Sequence, residues 1–452
     1  MIDSISLTQE RSMPMKPKVS RRAFGKAGAA SVLGLTALEA SGVLGANERI
    51  RLGFIGVGSR GGQLLDAFAQ HADAEIAAMC DVSRSTLEGA NQRFAQGKAA
   101  GHGDFRKLID RKDLDAVVIA TPDHWHAIQT ITACNAGKDV YCEKPLSKTV
   151  YEGRRMVEAA RRNRRVVQVG THRRSGHSYA AAARLIASGK LGKVTVGRAF
   201  DTTNMHPRGI GKAKPGDPPK DLDWEMWLGP RPLRPYQSTI TPFKFRWWHL
   251  YSTRYADNGV HFLDVIRWLC GDEPGPTLVC ALGGRFAVDD DRTIPDVMEG
   301  MFQFASGRLV IFGQYETSGN RALPRQAFAE LRGTEGALYA SDGGLEVLPE
   351  HGGRYQDDRQ PRMDPIKQDF EGGYAQHIRD HTRDFLDCVK SRRTPRADVE
   401  IGHRSTTMSL LATISLATQS TLKWDPQREQ IADNPQASEL LHYEYRKPWK
   451  LE

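Results

Sequence analysis

Residues 49–69 read RIRLGFIGVGSRGGQLLDAFA, and the fold turns on this stretch. An apolar run of strand character, 50–55, leads into Gly56, Gly58 and Gly61, and then into a segment whose Leu64, Leu65 and Phe68 share one helical face. Between a strand and a helix, Gly-x-Gly-x-x-Gly has a physical logic. The first glycine permits the tight turn, the second lets a pyrophosphate approach the backbone, and the third lets the helix pack on the strand. Free amides at the helix start, those of Ser59 and Arg60 among them, then face the phosphates. A second strand-like run, AEIAAMCD (74–81), ends in Asp81, twenty residues past Gly61. An acid there holds the adenosine ribose hydroxyls and repels a 2′-phosphate, so NAD is expected rather than NADP. Arg84 weakens that preference without reversing it.

The alternation continues through DAVVIAT (115–121), PDHWH (122–126), AIQTITACNAG (127–137), DVYC (139–142), a helical pattern over 149–162 and VVQVG (166–170). Strands separated by helices of crossover length give a parallel, doubly wound sheet, with ligands outside the carboxyl ends of its strands. Glu143, Lys144 and Pro145 stand at such an end. An isolated Glu-Lys-Pro is usually a solvated strand terminus, but in this crevice Lys144 reads as functional, with Glu143 toward the cofactor. Thr121, Pro122, His124 and His126 read as a loop facing cofactor or substrate. No thiolate or acid stands at ligand spacing from the two histidines, so no metal is expected.

At 452 residues the chain has room for two domains, and 40% hydrophobic with 26% charged residues is ordinary globular composition. The net charge of +9 is spread over many arginines. No basic stripe with interleaved aromatics appears, so nucleic acid is not an expected partner. Six cysteines, at 80, 134, 142, 270, 280 and 388, match no zinc or redox motif and read as small buried residues.

The segment SRRAFGK (20–26), followed by the uncharged AGAASVLGLTAL (27–38), resembles a twin-arginine export signal. Its apolar part is shorter than the ~20 residues a spanning helix needs, and Glu39 closes it. Residues 1–46 are therefore expected to be a removable address, cut near Gly45 or Ala46, leaving a periplasmic protein with no membrane anchor. The resemblance implies export of an already folded chain, which suits a protein that must load a cofactor first.

Taken together, the Gly56 loop, ATPDHWH (120–126), CEKPLS (142–147), QVGTHRRS (168–175), DNGVHFLDVIRWLCG (257–271), GTEG (333–336) and DFLDCVKSRRTPRADVEIGHRS (384–405) resemble the Gfo/Idh/MocA family of nicotinamide-dependent oxidoreductases. The resemblance implies an N-terminal Rossmann domain (47–171) and an α+β domain (172–452) built on a large, open, mainly antiparallel sheet. The second domain would carry the substrate pocket and an interface for a homo-oligomer, dimer or tetramer. Sequence signals agree: a helix over 177–188 ending at Gly189, strand-like runs at 193–200, 277–286, 297–304 and 308–315, and an antiparallel turn at Ser306-Gly307. Two helices flank Thr394-Pro395, and the tail containing YRKPW (445–449) is expected to dock on a neighbouring domain or subunit.

In YADNGVHFLDVIRWL (255–269), Val260, Leu263, Ile266 and Leu269 mark a helix, and Asp257 and His261 lie four apart on one face. The family pairs them with the strand-end lysine. Oxidising an alcohol carbon requires a base near neutral pKa. His261 is expected to take the hydroxyl proton, Lys144 to stabilise developing alkoxide, and Asp257 to position substrate and His261. Lys144 is the alternative base. Residues 201–255 carry Trp224, Trp227, Trp247 and Trp248 with His206, Arg246, His249 and Arg254, and read equally as a sugar-pocket wall or a packed core corner. Arg173, Arg174 and His177 point toward substrate as well. The expected substrate set is therefore Lys144, Arg173, Arg174, His206, Arg246, Trp248, Arg254, Asp257 and His261. The implied activity is an NAD(H)-dependent oxidoreductase acting on a sugar, cyclitol or glycoside hydroxyl. Two alternatives stay open: a glycoside hydrolase working by transient oxidation and elimination, and a non-catalytic sugar-binding protein, against which the intact Lys144, Asp257 and His261 argue.

Overall fold

The structure, a computed structural model, describes residues 49–357 and 359–451; the signal-like segment 1–46 lies outside the described residues. Strands and helices alternate through the first half as β1 (Ile50–Ile55), α1 (Ser59–Ala69), β2 (Ala74–Cys80), α2 (Arg84–Ala95), β3 (Ala100–His102), α3 (Phe105–Ile109), β4 (Ala116–Ile119), α4 (Asp123–Asn135), β5 (Asp139–Cys142), α5 (Val150–Arg162) and β6 (Val167–Val169). The strands form a parallel sheet in the order β3-β2-β1-β4-β5-β6. β4 and β5 are buried throughout, as continuous apolar runs covered on both faces require. At the start of α5, Thr149 and Glu152 form a reciprocal capping box. The order of connection reverses between β1 and β4, and a crevice opens at their carboxyl ends.

A 3₁₀ turn at His172–Ser175 leads to α6 (His177–Ala187), β7 (Val196–Thr202), α7 (Trp224–Leu228), α8 (Arg254–Asp257), α9 (Gly259–Leu269), β8 (Leu278–Gly284), β9 (Val297–Gln303) and β10 (Leu309–Tyr315). β11 (Ala329–Arg332), β12 (Gly336–Ser341), β13 (Gly344–Pro349) and β14 (Ile366–Asp369) follow. Then come α10 (Gly373–Ser391), α11 (Val399–Thr418), β15 (Leu422–Asp425), β16 (Gln430–Ala432) and α12 (Pro435–Glu439). The second sheet has ten strands in the order β14-β13-β12-β11-β7-β10-β9-β8-β15-β16. It is mainly antiparallel, as expected, with one parallel pair, β7 and β10. The β9–β10 hairpin turns at Gly307, whose φ of +81° suits glycine. Alternate residues, Val279, Met298, Phe302, Val310 and Phe312 among them, enter the core with Leu263 and Ile266 of α9 and Met408 and Leu411 of α11. The opposite face leaves Leu282 72% and Met301 43% exposed.

Both C-terminal helices reach back to the first sheet. Phe385 of α10 meets Phe68 and Tyr141 edge-on, and Gly402 of α11 lies where a Cβ would come within 2.4 Å of Val169. The tail docks on the first half of its own chain: Tyr445 donates to Glu152 at 2.5 Å, and Trp449 packs edge-on against Trp125 with ring centroids 4.7 Å apart. In the segment between β8 and β9, Arg292 is fully buried and bonds both oxygens of Asp290 (2.9 Å) and Glu316 (2.5 Å), while Trp247 Nε1 also donates to Glu316.

Candidate active site

A cavity of about 570 Å³ lies in the crevice, lined on the first-sheet side by Gly56, Gly58, Ser59, Arg60, Asp81, Thr121 and Pro122. Gly56 has φ +80°, and a Cβ there would sit 2.9 Å from the Ala120 carbonyl; at Gly61 a Cβ would meet the Gly56 carbonyl oxygen at 2.0 Å. Around Gly58 nothing lies within 4 Å of the added carbon, so the backbone is open to the cavity. Asp81 accepts the amides of Val57 and Ser83, both at 2.9 Å, and burial raises its pKa. Each carboxylate oxygen keeps a lone pair for a hydroxyl. An approachable glycine backbone, a helix N-terminus and an acid at the second strand end fit a dinucleotide.

The roof of the cavity comes from the long segment between β7 and α8, which contributes Pro219, Asp221, Leu222, Met226, Trp227, Tyr236, Phe243 and Arg246. Asp221 holds it down, accepting from Ser83 Oγ (3.2 Å) and Ser85 Oγ (2.5 Å), and its carbonyl accepts the Arg84 amide at 2.9 Å. Sequence spacing gave no sign of Asp221, because the segment lacks a period that would say where it folds back. Its tryptophans form mostly a core corner. Trp224 stacks on Trp227 at 4.8 Å, and Trp248 is buried with Nε1 donating to the Thr239 carbonyl. Trp248 therefore corrects to a packing residue, and His206, exposed on its turn, does not line the cavity. Arg174 also departs from expectation: it is buried, with its guanidinium spent on Asp264 and Asp272. Arg173 grips Asp342 with two hydrogen bonds and lies 3.8 Å over Phe328.

Lys144, Asp257 and His261 are not part of the cavity lining; they lie behind Arg246, which faces the cavity and bonds Asp257. Lys144 Nζ donates to Asp257 Oδ1 and to the Asp257 carbonyl, both at 2.8 Å, while Asp257 Oδ2 takes Arg246 at 3.1 Å and Arg254 at 3.4 Å. Despite burial, these cations hold the Asp257 carboxyl well below its usual range. Glu143 is buried too and pairs with Arg60 at 2.7 Å, so Arg60 rather than Glu143 lines the cavity. The helix breaks at Asn258: Asp257 ends α8, and His261 lies in the first turn of α9. In consequence Asp257 does not bond His261, whose Nδ1 is buried without a partner. Burial first, then Lys144 and Arg173, lower the His261 pKa well below the usual histidine value, leaving a neutral imidazole.

His124 and His126 lie in the first turn of α4 and line no part of the cavity, which corrects their assignment to a cofactor-facing loop. His124 Nε2 donates to the Trp227 carbonyl at 2.9 Å. His126 directs Nδ1 at the Pro145 carbonyl (2.8 Å) and Nε2 at the Thr121 carbonyl (2.9 Å), so both nitrogens must donate. Burial opposes that charge, but Cys142, Asp123 and the Pro145 carbonyl outweigh it and push its pKa up to about 10. Four other buried rings go the other way, through burial: His124 to about 3, His381 to about 4, and His172 and His261 well below their usual value. Stability from these four is full above about pH 6.5 and is lost as pH falls below it; that from His126 is full below about 6.5 and is lost as pH rises through 10. Urea unfolding across pH 4.5–9.5 is therefore expected to peak near neutrality, each group contributing a slope of at most ~1.4 kcal/mol per pH unit. His126→Gln should flatten the alkaline limb; an alkaline limb unchanged in that variant contradicts the imidazolium.

Among the described residues, no three His, Cys, Asp or Glu side chains are grouped to hold a metal ion, and no helix is long and apolar enough to cross a membrane. Comparison with known proteins adds the following. Residues 50–171 match the Gfo/Idh/MocA oxidoreductase family, NAD-binding Rossmann fold, and residues 164–339 and 373–451 match that family's C-terminal alpha/beta domain. The chain is 33% identical over 160 residues to an inositol 2-dehydrogenase of Salmonella paratyphi B, covering 34% of this chain and 47% of that protein. It is 29% identical over 195 residues to a glycosyl hydrolase family 109 protein of a Shewanella species, covering 42% and 39%. These alignments thus span about half the length of the curated relatives or less. A solved levoglucosan dehydrogenase, in complex with NADH and levoglucosan, shares the fold with a TM-score of 0.64 at 21% identity, over 82% of this chain and 98% of that one. With both halves of the family matched across most of its length, the chain belongs to the Gfo/Idh/MocA oxidoreductases.

Proposed function

We propose that the chain is an NAD(H)-dependent oxidoreductase acting on a hydroxyl of a sugar, cyclitol or glycoside, exported folded to the periplasm through the twin-arginine signal at 20–26. The observation that carries the reading is the convergence of Lys144, from the carboxyl end of β5, with Asp257 and His261, from the opposite half, beside a cavity shaped for a dinucleotide. A bound NAD supplies the two-electron acceptor. Lys144, with one proton left after its two bonds to Asp257, donates to the substrate oxygen and stabilises charge developing there. His261, held neutral by burial and nearby cations, takes the hydroxyl proton. The fixed donor geometry of Lys144 favours this division over Lys144 as base. Asp257 positions Lys144, and Arg246 and Arg254 hold Asp257.

Asp81 and Asp221 at one end of the cavity support NAD over NADP. NADP⁺ is expected to bind about tenfold or more weaker than NAD⁺, ~1.4 kcal/mol, and Asp221→Arg should narrow the gap in titration calorimetry. Equal affinities in the unaltered protein would contradict the assignment. The exposed sheet face with Leu282 and Met301 supports a homo-oligomer, readable by light scattering; a monomer at all concentrations would refute it.

The enclosing roof favours a second reading, in which retained NAD is used catalytically: transient oxidation, elimination of the aglycone and return of the electrons would cleave a glycoside. The family 109 similarity supports it. Incubating purified protein with a glycoside panel, following nicotinamide absorbance and products by mass spectrometry, tests both. Net reduction without cleavage supports the dehydrogenase, cleavage without net reduction the hydrolase, and neither signal on a broad panel overturns both in favour of sugar binding alone.

A further inference from the structure

His172, the first residue of the 3₁₀ turn after β6, is fully buried, yet neither Nδ1 nor Nε2 has a hydrogen-bond partner. Buried polar atoms are nearly always bonded, and each that is not costs roughly 1–3 kcal/mol. Here they come as a group: both His172 nitrogens, Thr171 Oγ1 beside them, and His261 Nδ1. The rings form a row. His172 meets His261 edge to face with centroids 5.1 Å apart, and on another side meets Tyr374 of α10 at 4.7 Å and 82°. Tyr374 is 44% exposed, so the row runs from the catalytic imidazole to solvent. The charged groups facing His172 are Arg173 on its own turn and Arg60 on α1; His261 on α9 and His381 on α10 face it as neutral rings. His381 is spoken for, bonded to Ser175 Oγ and to the Val169 carbonyl.

We propose that His172 is a proton relay, carrying to the surface beside Tyr374 the proton that His261 takes from the substrate. Oxidation of a hydroxyl carbon by NAD⁺ yields a carbonyl, NADH and one proton, and that proton must leave the interior before the next turnover. Asp257, four residues before His261, is occupied by Lys144, Arg246 and Arg254, and Asp264, three residues after it, by Arg174 and Ser405, so both are poor acceptors. In the relay, His261 gains a proton on the nitrogen facing the substrate and gives up the one on Nδ1. A bare ring nitrogen of His172 receives it, directly or through water, and the other ring nitrogen passes its proton through water to the surface beside Tyr374. No electrons move, and a half-turn of each ring resets the tautomers. His172 has neither nitrogen bonded, as such a passage needs, whereas the structural rings His124 and His381 each bond at least one.

The role in turnover rests on the oxidoreductase reading; exchange of the ring proton with water does not, and the test separates them. In the cofactor-free full chain, exchange of the His261 ring N–H with water, read by nitrogen-edited NMR, is expected to slow about tenfold or more in His172→Phe. In turnover, the same variant in dilute buffer should lose about 10- to 100-fold in kcat and recover when free imidazole is added, as a missing proton carrier allows. His172→Gln, closer in polarity, carries the same expectation where the Phe variant does not fold. The proposal is overturned by exchange and low-buffer rates equal to those of the unaltered protein, or by a folded variant whose loss imidazole does not restore. If the unaltered protein reduces no nicotinamide, the proposed function fails, and the exchange measurement alone decides the relay.

Discussion

Lys144→Met is expected to lower kcat about 10²- to 10⁴-fold while leaving NAD affinity within about twofold. The methionine keeps the volume of the stem and removes the donor that the proposed mechanism aims at the substrate oxygen. The residues expected to hold the dinucleotide, from Gly56 to Asp81, lie on other elements and are untouched. Asp257 keeps Arg246 and Arg254, so its carboxylate is not left bare. Steady-state rates with any turned-over substrate, paired with calorimetric titration of NAD, check both halves. A variant retaining a tenth or more of kcat would remove Lys144 from the chemistry; a lost NAD affinity would make it a cofactor ligand instead.

Arg292→Met is expected to destabilise the chain by about 3–5 kcal/mol in urea unfolding. The guanidinium has no exposure and answers two carboxylates, Asp290 and Glu316, both themselves buried. Removing it leaves two charges in the interior with the backbone amides of Ile210 and of residue 292, Trp247 and, at 3.6 Å, Arg254 to answer them. Because Arg254 would be drawn further toward Glu316, its hold on Asp257 should weaken as well. A loss below about 1 kcal/mol would mean that the pair is solvated in a way its burial does not suggest.

The first half was legible because its signals are local. Three glycines, an acid twenty residues on and unbroken apolar strands each constrain a few consecutive residues, and β1, β2, β4 and β5 lie where those runs predict. In the second sheet the Ser306-Gly307 hairpin was readable for the same reason. The parallel pairing of β7 with β10 was not, since more than 100 residues separate the strands and no turn chemistry joins them. β11 to β16 are three to six residues long, too short for alternation to stand out. At the site, Lys144, Asp257 and His261 followed from motif and spacing, but the partner of Asp257 did not. Four residues of separation suggests an Asp–His pair on one helix; the break at Asn258 turns the carboxylate to the lysine and two arginines instead. Reading PDHWH as a loop failed because Pro122 caps a helix rather than ending one, and that places both histidines among backbone carbonyls. His172 stood in a quoted motif yet was overshadowed by its arginines, whose charges proved to be consumed by Asp342, Asp264 and Asp272.

The docked tail sets an order of events during biogenesis. Trp449 presses on Trp125, which itself lines the dinucleotide cavity, and Arg446 bonds the carbonyls of Gly229 and Arg231 just past the roof helix. The pocket is thus buttressed by residues that leave the ribosome more than 300 positions after the glycine loop. A nascent chain has its phosphate-binding turn early but lacks the clasp until synthesis reaches residue 449, so firm capture of the dinucleotide is post-translational.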